Sequence, residues 1–137
     1  MDPLQQKIKD LEFLLRREKI ENKTRIKEIL YQILEIHDSL KKMMDIAIKQ
    51  PWPQEAQAFV EERFGIVLKK ILQTLQRYGA RQINSLGQIA NLEYHEIVQE
   101  ICQENTSDGQ IVQVEQEGFI YEGEVIRMAK VVAAKSH

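Results

Sequence analysis

The residues that could carry out hydrolytic or metal chemistry are few, and their spacing does not bring them together. His37-Asp38-Ser39 contains the residue types of a Ser–His–Asp triad. We predict a helix there, and neighbouring helical residues point about 100° apart, so the three side chains cannot align. His95 and His137 are isolated, without the spacing of zinc ligands. No Gly-rich loop with a lysine follows a predicted strand. We therefore predict no catalytic residues, no metal and no cofactor.

The overall charge and the cysteine count exclude further classes of protein. Nineteen basic residues stand against 21 acidic ones, a net charge of -2, whereas a nucleic-acid-binding protein needs a basic surface. The single cysteine, Cys102, can form no internal disulfide, which favours a reducing compartment. We expect its thiol to be buried. No apolar run reaches the roughly 18 residues of a membrane span, and no signal-peptide pattern is visible. We predict a cytoplasmic protein without membrane or nucleic-acid partners.

The first segment, Leu4 to Gln50, contains neither glycine nor proline and should form one long helix, called the rod below. Asp2 is expected to cap it, with Pro3 in the first turn. At ~1.5 Å per residue the rod would be about 70 Å long. Pro51 and Pro53 end it.

Apolar residues along the rod alternate by three and four positions, which is the seam of a coiled coil. The polar Lys19 and Asn22 interrupt the seam in a stutter. No second helix of equal length exists to cover it, so we predict a parallel homodimer. The predicted interface contains Leu4, Ile8, Leu11, Leu15, Ile26, Ile29, Ile33, Ile36, Leu40 and Met43.

A second helix is predicted from Gln54 to Tyr78, although Gly65 could break it. Gly79 is a natural residue after its end. Two helical hairpins could form a dimeric four-helix bundle, to which this helix would contribute Leu68, Ile71 and Leu75. We divide the chain into a dimerisation helix (1–50), bundle helices (51–86) and a C-terminal β domain (87–137), called the wing below.

The wing is predicted to be a small antiparallel sheet. Short β-branched and aromatic stretches follow one another, separated by Gly109, Gly118 and Gly123. Periodicity leaves the segment from His95 to Cys102 open, since it fits one face of a helix or of a strand. The fold class is therefore α+β.

The wing and the sequence before it resemble the GrpE family. That family has a His-Glu-Ala-Val tract, a Gly-x-Val-Val-x-Val strand, a Gly-Tyr pair and a closing strand with an arginine. The chain carries similar residues in the same order: His95-Glu96-Ile97-Val98, Gly109 to Val114, Gly118-Phe119 and Ile126 to Val132. Upstream, Leu34 to Lys42 and Leu72 to Gly79 are also similar to family tracts.

This resemblance implies a homodimeric co-chaperone that binds the nucleotide-binding domain of a DnaK-type chaperone and promotes ADP release in protein folding and the stress response. It also implies that His95 to Cys102 is a strand. The contact residues it implies are Glu124, Arg127, Met128, Val131 and Ala133 on the wing, and Arg16, Arg17, Lys19 and Lys23 on the rod. The alternatives are wing core for Val131 and a solvated coiled-coil flank for the basic residues.

The chain departs from the family pattern at several positions. Asn91-Leu92 stands where the family has Asp-Pro, and Arg63 stands in place of a glycine. Glu124 replaces the first arginine of the last hairpin. We expect a shortened rod, because its first part has no counterpart here. The loss of arginine at Glu124 supports an alternative function, a GrpE-like dimer that acts as a scaffold without exchange activity.

Overall fold

The computed structural model describes residues 2–135, which form two helices followed by six strands. The helices are α1 (Pro3–Ile48) and α2 (Gln54–Arg77). The strands are β1 (Ala80–Gln82), β2 (His95–Ile101), β3 (Ile111–Gln116), β4 (Phe119–Tyr121), β5 (Glu124–Arg127) and β6 (Ala129–Ala134). The α+β class is confirmed, and so is the strand that the resemblance implied at His95.

The rod is one uninterrupted helix of 46 residues, as predicted. Its start follows from the capping residues, because the Asp2 carboxylate accepts a hydrogen bond from the backbone N–H of Leu4 at 3.1 Å, with Pro3 as the first helical residue. The second helix, α2, runs through Gly65 without a break. It ends before Gly79, whose φ of +93° is the left-handed conformation that glycine adopts most readily.

The strands form two sheets of three strands each. The first sheet has the order β1-β4-β5 and is antiparallel. The second has the order β2-β6-β3, in which β6 pairs antiparallel with β3 but parallel with β2. The prediction of a single antiparallel sheet was wrong, because the long segment between β2 and β6 allows β6 to return in the direction of β2. β1 belongs to the first sheet although it precedes the predicted wing boundary at residue 87.

The helices and the first sheet share one core. Leu30 and Leu34 of α1 are buried with Leu75 of α2, Ala80 of β1, and Phe119 and Tyr121 of β4. A smaller core within the second sheet contains Ile111, Ala129 and Val131. The rod and wing are therefore joined by direct apolar packing.

Gly118 is required where the two sheets meet. A Cβ at this position would lie 2.4 Å from the backbone nitrogen of Ala129 and 2.9 Å from the carbonyl carbon of Met128. Both distances are far inside van der Waals contact, so only glycine lets β4 begin against the start of β6.

Candidate functional site

The predicted seam is an uncovered apolar stripe along the rod. Most of its residues are exposed in the single chain, among them Ile36 at 57% and Leu11 at 57%. Half-buried members are Ile33 and Leu40 on α1 and Ile71 on α2. Two residues assigned to the dimer interface are instead buried within the chain, Leu68 at 9% and Leu75 at 1% exposure. Leu75 packs against Leu30 and Leu34, so it has no surface left for a partner.

Arg127, at the end of β5, is held inside the junction between rod and wing. Its guanidinium donates to both carboxylate oxygens of Asp38 on α1, with Nη1–Oδ2 at 2.5 Å and Nη2–Oδ1 at 3.4 Å. Its Nε donates to the carbonyl of Glu117 at 2.9 Å, and the ring of Phe119 lies 5.7 Å from the guanidinium carbon. The side chain is only 7% exposed. The resemblance implied that Arg127 contacts the chaperone; in the structure both of its Nη groups bind the rod and its Nε binds the backbone before β4.

The surroundings of Asp38 favour its charged form. Partial burial of this carboxyl raises its pKa, but the hydrogen bonds from Arg127 and His37 outweigh burial, so the pKa lies below the ordinary value. His37 Nδ1 lies 3.2 Å from Asp38 Oδ1. The Asp38 carboxylate is thus held ionised by His37 of the rod and by Arg127 of the wing.

Glu124, at the start of β5, forms a second ionic contact with the rod. Its carboxylate lies 3.2 Å from Lys27 Nζ and 3.5 Å from Lys23 Nζ. Lys23 Nζ also donates to the carbonyl of Glu122 at 3.2 Å. The hydrogen bond from Lys27, together with the charge of Lys23, holds the pKa of Glu124 below its ordinary value. Lys23, predicted at the chaperone, is therefore engaged by the wing.

The other predicted contact residues divide by exposure. Val131 and Ala133 are buried in the second sheet, which agrees with the alternative of wing core for Val131. Met128 is half-buried. On the rod, Arg16 and Lys19 are exposed, and Arg17 Nε is 3.2 Å from Glu21 of the next turn. Of the predicted contacts, Arg16, Arg17, Lys19 and part of Met128 remain at the surface.

The buried side chain of His95 connects two segments of the wing through hydrogen bonds. Its Nδ1 accepts from the backbone N–H of Asn91 at 3.0 Å, so its Nε2 carries the proton and donates to Ser85 Oγ at 3.1 Å. Ser85 Oγ in turn donates to the carbonyl of Ile83. The side chain of Asn91 closes a turn by accepting from the N–H of Glu93 at 2.9 Å. Asparagine thus forms a local turn at the position where the family has Asp-Pro.

Sequence reasoning missed the partners of these residues. Asp38 was considered within a false triad and within a tract that resembles the family, but not as a partner of Arg127, and Lys27 and Ser85 were not singled out. Asp38 and Arg127 both fall in tracts that resemble the family, and this shared membership is the signal that could have suggested their contact. Cys102 was expected to be buried, but it is exposed, because it follows the last residue of β2.

No group of three or more His, Cys, Asp or Glu side chains in residues 2–135 is arranged to hold a metal ion. None of the helices within those residues combines the length and apolar character needed to cross a membrane. His137 lies outside the described residues.

Comparisons with known proteins show which family the chain belongs to. The GrpE family model matches residues 2–135. The chain is 31% identical over 114 residues to Protein GrpE of Chlorobaculum parvum, a match that covers 82% of this chain and 58% of the relative. It is 30% identical over 109 residues to Protein GrpE of Helicobacter hepaticus, covering 79% and 56%. The chain spans just over half the length of these relatives, and it belongs to the GrpE family.

Proposed function

We propose that the chain is a homodimeric adenine-nucleotide exchange factor, a cytoplasmic co-chaperone that binds the nucleotide-binding domain of a DnaK-type chaperone and promotes ADP release. Family membership supports the activity. The observation that carries the proposal is the separation of two surfaces on the rod. Leu34 faces the wing, whereas Ile36 is exposed two residues later, roughly 200° around the helix. Two rods could therefore pair while both wings stay outside the seam.

The exchange needs no catalytic side chain. A factor that binds the open state of the chaperone's nucleotide-binding domain more tightly than the closed state shifts the population towards the open state, from which ADP leaves. Because the coupling is reciprocal, nucleotide binding to the chaperone must weaken the factor's hold. The surface proposed for this contact consists of the exposed basic residues Arg16, Arg17 and Lys19 together with Met128 on the wing.

Stopped-flow release of a fluorescent ADP analogue from a DnaK-type chaperone tests the activity. We expect the chain to accelerate release in a concentration-dependent way. Arg16→Ala should reduce this acceleration because it removes an exposed charge from the contact surface proposed on the rod. Lys42→Ala, which removes an exposed lysine from the other end of the rod, is the matched control. Binding to the chaperone without faster release would support the scaffold alternative instead.

The structure changes the expectation for Glu124. From the family pattern, Glu124→Arg should raise activity by restoring an arginine. In this chain the new guanidinium would face Lys23 and Lys27, so like charges would replace two attractive contacts. We therefore expect Glu124→Arg to lower activity unless both lysines are also changed.

A further inference from the structure

We propose that Asp38 and Arg127, with Glu124 and its two lysines, are positioning residues that fix the angle of the wing on the rod. This inference rests on the proposed exchange function, because a wing that pushes on a chaperone must not pivot on its support. The contacts lie at both ends of β5, Glu124 at its start and Arg127 at its end. Each end meets a different turn of α1.

The spacing along the two elements makes this a two-point attachment. β5 spans about 10 Å between its first and last residues. The rod partners of the two ends, Lys27 and Asp38, are about 16 Å apart along the helix. Glu35 lies between them, with its carboxylate 3.9 Å from Arg127 Nη1. β5 therefore follows the rod, with Leu30 and Leu34 packed in the core between the two ionic contacts. A single contact permits rotation about itself, whereas two contacts separated by this distance do not.

The Arg127 contact should fix the orientation of the wing more than it stabilises the fold. A buried ion pair often stabilises a fold no more than apolar residues of the same size would, because both charges lose their hydration. A forked guanidinium–carboxylate pair does specify orientation. Arg127 uses its fork on Asp38, its Nε on the carbonyl of Glu117 and its face on Phe119, which leaves the group few ways to tilt.

The Glu124 contact is more exposed and should behave differently. The carboxylate side chain is 51% exposed and its lysine partners are 28–29% exposed. The β4–β5 turn supports the contact, since Glu122 and Gly123 have φ values of +47° and +77°, typical of a two-residue hairpin turn, and Lys23 bonds the carbonyl of Glu122. Salt screens exposed charges more than buried ones, so salt should loosen this end of β5 first.

Distance measurements between spin labels test the geometry directly. The exposed Cys102 provides a native label site next to β2, and Lys41→Cys provides an exposed one on the part of the rod that the core supports. Labelled protein diluted with unlabelled protein reports distances within one chain, whether or not chains pair. We expect a narrow distribution in the parent and a broad or shifted one in Arg127→Met and in Asp38→Asn. Asp38→Asn keeps the side-chain size, so it still tests the inference if Arg127→Met does not fold.

Controls separate positioning from general damage. Arg81→Met removes an exposed arginine from β1 of the same sheet and should leave the distribution narrow. Arg127→Lys keeps the charge but loses the fork, so it should restore the parent distribution only in part. In the parent, high salt should broaden the distribution less than Asp38→Asn does, because the buried pair persists.

The release assay then links geometry to function. We expect Asp38→Asn to slow chaperone ADP release on the order of tenfold, as misplaced geometry commonly does, while helix content stays unchanged. An unchanged distance distribution in both Asp38→Asn and Arg127→Met would overturn the inference, as would a broadened one with unchanged release. If the parent itself releases no ADP, the proposed function fails, whereas the distances still test whether these residues position the wing.

Discussion

Replacing Ile36 by aspartate should separate the proposed dimer while leaving each chain folded. Ile36 lies on the seam of α1 and is 57% exposed in the single chain, so it contributes little to the core of its own protomer. In a parallel dimer each copy would instead be buried against its twin. The aspartate would then place two negative charges opposite each other inside an apolar interface.

The magnitude follows from the exposed area. Complete burial of an isoleucine side chain stabilises by about 1.5–3 kcal/mol, so the exposed fraction of Ile36 leaves about 1–1.7 kcal/mol per protomer for the interface. The two copies together contribute about 2–3.5 kcal/mol, which corresponds to roughly 30- to 300-fold in the dissociation constant. Burial of two unpaired carboxylates adds to this loss, so these figures are a lower bound.

Sedimentation equilibrium over a range of micromolar concentrations measures the effect. The parent should sediment as a dimer of the 16.1 kDa chain and Ile36→Asp as a monomer. Thr24→Asp is the matched control, because it adds the same charge to an exposed position of the same helix, about 120° away from Ile36. Circular dichroism should show that the wing and α2 remain folded in both variants.

Two results would refute the reasoning. A parent that sediments at 16.1 kDa would show that the seam has no partner of its own kind. A dimeric Ile36→Asp variant would show that the chains pair through a different surface. An equal weakening by Ile36→Asp and Thr24→Asp would mean that added charge, and not position on the seam, controls pairing.

Three further predictions concern stability. Hydrogen exchange should be faster in Leu4 to Asn22 than in residues 30–45. Every residue from 4 to 22 is exposed and the seam there includes polar residues, whereas the buried residues of the rod, Leu30 and Leu34, lie in the second stretch. Equal protection of the two stretches would contradict this. Gly118→Ala should lower the free energy of unfolding, measured by chemical denaturation, by at least about 2 kcal/mol, because the new Cβ would lie 2.4 Å from a backbone nitrogen. Gly65→Ala is the control: its Cβ would meet nothing within 4 Å, so this change within a helix should raise the free energy of unfolding by about 0.5–1 kcal/mol. The pKa of Asp38 is lower in the folded protein than its ordinary value of 3.8. Its charged form therefore stabilises the fold above that pH, and this stabilisation is lost as the pH falls through the folded-state pKa. In urea titrations below pH 4, the free energy of unfolding should therefore fall less steeply with pH in Asp38→Asn than in the parent.

Much of the helical structure could be predicted from local signals. Asp2 and Pro3 mark the start of α1, the absence of glycine and proline extends it, and Pro51 and Gly79 follow the ends of α1 and α2. These signals act within a few residues, so the sequence alone is sufficient to read them. The strand at His95 needed the family resemblance, because seven residues fit both periodicities.

The arrangement of the strands needed the tertiary structure. Strand periodicity says which residues alternate but not which strand is the neighbour or in which direction it runs. The parallel pairing of β2 with β6 joins segments about 30 residues apart, and nothing local to either segment encodes it. Burial of Leu75 and Val131 likewise depends on which surfaces meet.

The charged residues of the candidate site show most clearly what the sequence determines and what only the tertiary structure decides. The sequence by itself determined a rod with an apolar seam and a basic flank, because helical geometry converts spacing into faces. It could not determine that Arg127 and Lys23 are occupied within the chain. Asp38 and Arg127 are 89 residues apart, and Lys27 and Glu124 are 97 apart. Only the docking of β5 along α1 brings these opposite charges together, because ion pairing depends on distances in space that sequence spacing does not specify.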